Sequence, residues 1–152
     1  MENNRILRAN PDDHAVLTNI TKKSKAYWEY SAWQMEEWSD LLTITEDYIK
    51  TNEVYKLSID HLTVAYYSYI DLDETTIILD YLFVLPDYIG KGYGKSLMND
   101  FINKIKKTER KRIILDADPN AQKFYESFGF IKIGQAETSI KDRFLPVMEL
   151  KL

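Results

Sequence analysis

The sequence predicts an α+β fold layered α/β/α, with a mixed central sheet of about seven strands flanked by about four helices. Three observations carry this. Apolar residues recur at helical spacing in Met35, Trp38, Leu41 and Leu42, and again in Tyr93, Leu97, Phe101 and Ile105. Between them the period changes to two, with Tyr55, Leu57 and Ile59 alternating with Lys56 and Ser58. Along the chain the elements read strand, helices, three antiparallel strands, helix, strand, helix, two strands. At 152 residues, 45% of them hydrophobic and 29% charged, the chain can bury a continuous core without disulfides or a structural metal. A single domain over residues 1–152 is expected.

Residues 5–9 read as the first strand. Asn10-Pro11-Asp12-Asp13 then gives a helix start: Asn10 as N-cap, Pro11 at the first helical position, and two acids at the positive end of the dipole. This helix is expected to run to about Lys22. Ser31 and Gln34 make a capping-box pattern that opens a second helix through Leu42, and residues 45–52 suit a short third turn. Residues 53–59, 62–70 and 75–84 read as three strands, joined by turns too short for a parallel crossover. Residues 92–107 form an amphipathic helix, with Met98 and Ile102 joining the apolar face. A short buried strand at 112–117 follows. Asp118 as N-cap, Pro119 at N1 and Gly129 past the end punctuate the next helix. Residues 130–133 and 145–152 are the last strands.

The same sequence narrows the chemistry. It has no cysteine and only two histidines, His14 and His61, so thiolate catalysis is excluded and no metal is expected. The formal charge of −4 argues against a nucleic-acid binder, which needs Lys and Arg against phosphates. No apolar run approaches the roughly 20 residues of a membrane span, and residues 1–5 lack a leader's apolar stretch, so a cytoplasmic protein with a small-molecule partner is expected. The lysines of residues 104–112 suit a helix C-terminus without any ligand.

Ile89-Gly90-Lys91-Gly92-Tyr93-Gly94-Lys95-Ser96 lies between a strand and a helix, where backbone N–H groups and a helix N-terminus can cradle a pyrophosphate. A Walker A loop would need glycine at Ile89, and a dinucleotide fingerprint would need it at Lys95 or Leu97. Both readings fail. The stretch instead resembles the acyl-CoA loop of the GNAT N-acetyltransferases, Arg or Gln-x-x-Gly-x-Gly/Ala, through Gly92 and Gly94, after a strand ending Val84-Leu85-Pro86. A second motif, Asp118-Pro119-Asn120-Ala121-Gln122-Lys123-Phe124-Tyr125-Glu126-Ser127-Phe128-Gly129-Phe130, resembles the family's N-x-x-A-x-x-F/L-Y-x-x-x-G-F. Ile89 departs from the family's Arg or Gln, which shifts phosphate binding onto backbone donors.

The resemblance implies the GNAT fold, splayed at the cofactor site, and acetyl-CoA as co-substrate, delivered directly to a primary amine on a small molecule or peptide. It implies cofactor contacts at Phe83, Val84, Ile89, Gly90, Lys91, Gly92, Tyr93, Gly94, Lys95, Ser96, Asn120 and Lys123. Phe83 and Val84 would hold the pantetheine arm, and a backbone N–H near Val84 would polarise the thioester carbonyl. Tyr125 matches the tyrosine that protonates the departing sulfur, against a plain reading as a core aromatic. Asp80, an acid in an otherwise hydrophobic strand, is the candidate base, poised by burial. Trp28 and Tyr30 are candidate walls of the acceptor pocket, Trp38 fits the helix core, and Arg143 is a candidate contact for an acceptor carboxylate. Oligomeric state stays open, a homodimer being common for the fold. The competing reading is an acyl-CoA-binding module with a sensing or regulatory role and little turnover.

Overall fold

The computed structural model describes residues 4–27, 31–138 and 144–152, so Trp28, Tyr30 and Arg143 lie outside the described residues. The strands are β1 (Asn4–Arg8), β2 (Glu53–Ile59), β3 (Leu62–Asp71), β4 (Thr76–Val84), β5 (Arg112–Asp116), β6 (Ile131–Glu137) and β7 (Phe144–Lys151). The helices are α1 (His14–Tyr27), α2 (Ala32–Glu37), α3 (Glu46–Thr51), α4 (Tyr93–Lys106) and α5 (Gln122–Glu126). The strands form one seven-stranded sheet in the order β1-β2-β3-β4-β5-β7-β6. It is mixed: β4 and β5 run parallel, whereas β1–β2, β2–β3, β5–β7 and β6–β7 are antiparallel. The chain groups into two compact units, Met1–Tyr69 with Tyr81–Asn103 and Ile70–Asp80 with Lys104–Leu152.

In the first unit, β2 and β3 close in the two-residue turn Asp60-His61, at φ 48° and 73°. Positive φ at both positions matches the twist of a two-residue hairpin, and Asp and His tolerate it better than most side chains. A single 3₁₀ turn, Pro11–Asp13, precedes α1. There Asp13 accepts from the Asn10 N–H at 2.9 Å and from Lys56 Nζ at 2.8 Å, tying the helix start to β2.

α1 runs to Tyr27, beyond the expected end near Lys22, and the reason lies on its inner face. Leu17, Ile20, Thr21 and Ser24 are its buried residues, and the last two are polar. The Thr21 hydroxyl bonds the Leu17 carbonyl and the Tyr66 hydroxyl, and Ser24 Oγ donates to the Val84 carbonyl at 2.8 Å. With partners supplied, hydroxyls occupy core positions without a desolvation penalty. α2 opens with the expected capping box, Gln34 N–H to Ser31 Oγ at 3.1 Å and Ser31 N–H to Gln34 Oε1 at 3.0 Å. It ends at Glu37, with Trp38 as C-cap, rather than continuing through Leu42. Ser39 and Asp40 favour turns over helix, so Leu42 is buried from a turn and Leu41 is exposed.

The core of this unit gathers Leu17, Ile20, Ile44, Ile49, Val54 and Tyr66, with Tyr48, Tyr81 and Phe83 packed against it. Tyr55, one position on from Val54, faces the other way and stacks on Tyr67. Phe101 of α4 packs on Tyr67 and Tyr69, both at 5.4 Å between ring centroids. Burying such a ring contributes roughly 1.5–3 kcal/mol, enough to fix α4 on this face.

In the second unit the β4–β5 ladder pairs Thr76 with Arg112 through Ile78 with Ile114; β4 then continues to Val84. Arg112 bonds Thr76 Oγ1 at 2.9 Å and the buried Glu149 at 3.0 Å, linking β4, β5 and β7. Gly129 sits at φ 98°, and a Cβ there would lie 3.3 Å from Leu150 Cδ1.

Candidate active site

After β4 the chain makes one 3₁₀ turn, Pro86–Tyr88, closed by the Ile89 N–H on the Pro86 carbonyl at 3.2 Å. Gly90 and Gly92 follow at φ 86° and 87°, and α4 begins at Tyr93. The Gly92 carbonyl accepts from the Ser96 N–H at 3.0 Å and from Ser96 Oγ at 3.1 Å, so Gly92 stands at the cap position. Glycine has no side chain with which to cap, and first-turn N–H groups have no acceptor inside a helix. A Cβ on Gly90 or Gly92 would meet nothing within 4 Å. These glycines therefore serve a left-handed backbone, and the space over them is open to a ligand.

Charge points the same way. The first turn of α4 holds no acid, while Lys91 and Lys95 are exposed at the end where the dipole disfavours cations. Placed there, they suit an anion. Lys91 Nζ lies 5.4 Å from the Tyr88 ring centroid, and the Tyr88 and Tyr93 centroids are 6.2 Å apart. Ile89 is exposed and offers only an apolar surface where the family pattern has a polar side chain.

Next to this loop the end of β4 is held rigidly. The peptide joining Val84 and Leu85 is bound at both ends: its carbonyl accepts from Ser24 Oγ at 2.8 Å, and its N–H donates to the Val64 carbonyl at 2.8 Å. Phe83 and Tyr81 share a face toward the core, and the Tyr81 hydroxyl donates to the Leu41 carbonyl at 2.8 Å. Lys25, on the last turn of α1, places Nζ 5.8 Å from the Phe83 ring centroid and 5.9 Å from that of Trp38. Sequence patterning alone did not point to Ser24 or Lys25. A serine continuing the Leu17–Ile20–Thr21 stripe was the available signal for the first.

In the second unit, Asp118 caps the turn ahead of α5, accepting the Asn120 N–H at 2.9 Å and its side-chain amide at 3.0 Å. Asn120 and Lys123 are exposed; Tyr125 is buried between Phe124 and Phe130, at centroid distances of 5.3 and 5.9 Å. Burial, and then the Asp118 carboxylate, push the Tyr125 phenol well above its ordinary range, so it stays protonated at neutral pH. None of the hydrogen bonds among the described residues involves the Tyr125 hydroxyl, and none of their fully enclosed side-chain oxygens lacks a partner. Asp80 is exposed, so burial does not poise its carboxylate as the sequence suggested. The reason is the pleat, which turns Leu79 inward and Asp80 outward.

Known proteins share this fold. The family described as Acetyltransferase (GNAT) domain matches residues 26–152. Among solved structures, the PaiA N-acetyltransferase of Thermoplasma acidophilum, in complex with coenzyme A, superposes with a TM-score of 0.83 at 17% identity over 99% of both chains. A GCN5-related N-acetyltransferase of Rhodopseudomonas palustris gives 0.80 at 21% identity, over 100% of this chain and 96% of that one. The YncA structure from Salmonella typhimurium, with acetyl-CoA, gives 0.70 at 18% over 98% and 94%. An uncharacterised N-acetyltransferase of Porphyra purpurea is 40% identical over 47 residues, 31% of this chain; the matched stretch spans only 27% of that relative. These structural likenesses show the fold. The family match covers most of the chain, and the protein belongs to the GNAT acetyltransferase family.

Proposed function

We propose that the chain is one acetyltransferase domain that moves an acetyl group from acetyl-CoA directly to a primary amine in the cytoplasm. The observation that carries this is the start of α4: a helix N-terminus headed by Gly92, two left-handed glycines with open space above them, and two lysines where the dipole disfavours cations. That combination suits a diphosphate. Backbone N–H groups of residues 90–96 bind it, with Lys91 and Lys95 adding charge in place of the side chain missing at Ile89.

The remaining roles follow from the family motif and from local chemistry. The backbone of Phe83 and Val84 orients the pantetheine arm, and the Val84 N–H polarises the thioester carbonyl. An acceptor amine with a pKa near 10.4 must lose a proton, which at pH 7 costs about 4.6 kcal/mol at 1.36 kcal/mol per pKa unit. Asp80, exposed on β4, takes that proton directly or through water. Tyr125, kept neutral by burial, donates its proton to the departing thiolate.

The alternative is a module that holds acyl-CoA without turnover. Incubating the protein with acetyl-CoA and a broad panel of amines, and following thiol release, separates the two. Release that depends on an amine supports transfer. Saturable acetyl-CoA binding with no release from any amine would leave the binding module.

A further inference from the structure

We propose that the cleft lined by Arg5, Leu7, Lys56, Ser58, His61 and Thr63 is a second anion site, which takes a phosphate group, free or on a small ester. It does not rest on the acetyltransferase reading. The strand register assembles it: Arg5 pairs with Ser58, Leu7 with Lys56, and Ser58 with Thr63. Residues opposite one another on neighbouring strands share a face, so β1, β2 and β3 present these side chains together. The turn Asp60-His61 joins β2 to β3, and its imidazole completes the lining.

The donors in this lining favour an anion. Among the described residues, no hydrogen bond or ion pair engages the Arg5 guanidinium or the His61 imidazole, so both are available to a ligand. Lys56 is committed, its Nζ lying 2.8 Å from Asp13 Oδ2, and that pair is neutral as a whole. Arg5 therefore leaves the cleft with a net positive charge. The Ser58 and Thr63 hydroxyls lie 3.2 Å apart and share one hydrogen bond, which leaves one O–H to donate outward. Arg5 adds a planar fork, and His61 adds an N–H in either protonation state. A carboxylate has two oxygens for these donors, whereas a phosphate ester has three, one for each element that supplies them. Leu7, 46% exposed on the same face, offers an apolar surface to the organic part of an ester. His61 sits at φ 73° in a two-residue turn, where the backbone prefers glycine. An imidazole at that position costs conformational energy, and the cleft gives it a use.

The experiment titrates the whole chain in low salt with inorganic phosphate, phenyl phosphate and benzoate, following backbone amide NMR shifts. Affinity is fitted from the amides of residues 5–7 and 56–63. Shifts at residues 90–96 report the start of α4 separately, so failure of one assignment is told from failure of the other. Saturable binding of both phosphates is expected at the cleft, with benzoate weaker. Arg5→Gln removes a charge-assisted contact and should weaken phosphate roughly 10- to 100-fold. His61→Gly removes a neutral donor and should weaken it roughly 3- to 10-fold, while the thermal midpoint holds or rises because glycine suits the turn. That pairing of lost affinity with retained stability is what a purely structural histidine would not give. Tighter binding of phenyl phosphate supports an ester held against Leu7, and equal affinity supports the free ion at the same site. No saturable shift at residues 5–7 and 56–63 with either phosphate overturns the proposal, as does undiminished affinity in both variants. Benzoate that binds as tightly as phenyl phosphate overturns the assignment to phosphate.

Discussion

Replacing Gly92 by Asp separates the stability of the cofactor loop from its affinity for ligand. Gly92 lies at φ 87°, where an L side chain costs about 1–2 kcal/mol. The new Cβ meets nothing within 4 Å, so no packing is lost. An Asp at the cap position accepts the first-turn N–H groups of α4, worth about 1 kcal/mol. Its charge at the positive end of the dipole adds about 0.3–1 kcal/mol. These terms nearly cancel, and the thermal midpoint should barely change. Affinity should not be spared, because the carboxylate occupies the donors that a diphosphate needs. Losing two hydrogen bonds to a charged group, at about 1.5–3 kcal/mol each, weakens binding by roughly 3–6 kcal/mol. That corresponds to about 10²- to 10⁴-fold in Kd. Calorimetric titration with acetyl-CoA, alongside a thermal melt, measures both quantities. An unchanged Kd in a folded Gly92→Asp protein would refute the placement of the diphosphate.

Other outcomes follow from the same geometry. Tyr125→Phe removes one oxygen and keeps the ring, so the melt should be nearly unchanged while kcat falls about 10²- to 10⁴-fold if thiolate departure limits turnover; a poorer leaving group should suffer more, and full activity would reassign the acid. Asp80→Asn should slow transfer near neutral pH, with a loss that shrinks as pH rises and the amine deprotonates itself; a loss equal at every pH would point to acceptor binding instead. Burial raises the phenols of Tyr55, Tyr67 and Tyr125, and a raised folded pKa gives stability that is complete below the unfolded value near 10 and lost as pH climbs through the folded one. Ultraviolet titration should therefore find a group of the 11 tyrosines that ionises only as the protein unfolds in alkali; simple ionisation of all of them near pH 10 would contradict this. Gly129→Ala, strained at φ 98° and 3.3 Å from Leu150, should destabilise by at least about 1–2 kcal/mol in denaturant titration.

Punctuation made much of the fold legible. Asn10-Pro11, the Ser31/Gln34 box, Asp118-Pro119 and the change to period two at Glu53 all mark real boundaries, because each answers a local need of the backbone. The end of α1 was hidden because Thr21 and Ser24 read as polar, and only their partners Tyr66 and Val84, distant in sequence, make them core residues. α2 was overextended because Leu41 and Leu42 keep helical spacing even though Ser39 and Asp40 have turned the chain. The Asp60-His61 hairpin carries no glycine, so its left-handed conformation was not visible in the sequence. At the site, the glycine loop could be read because its chemistry is backbone chemistry written in glycines. Lys25 could not, since a lysine near a helix end looks like any solvated charge until Trp38 and Phe83 are seen beside it.

The most direct measurement is a crystal structure of the protein with coenzyme A. The account predicts the diphosphate against the backbone N–H groups of residues 90–96 at the start of α4, with the pantetheine running along Phe83 and the sulfur beside Val84. A diphosphate seated elsewhere, for example in the basic cleft of Arg5, Lys56 and His61, would contradict it.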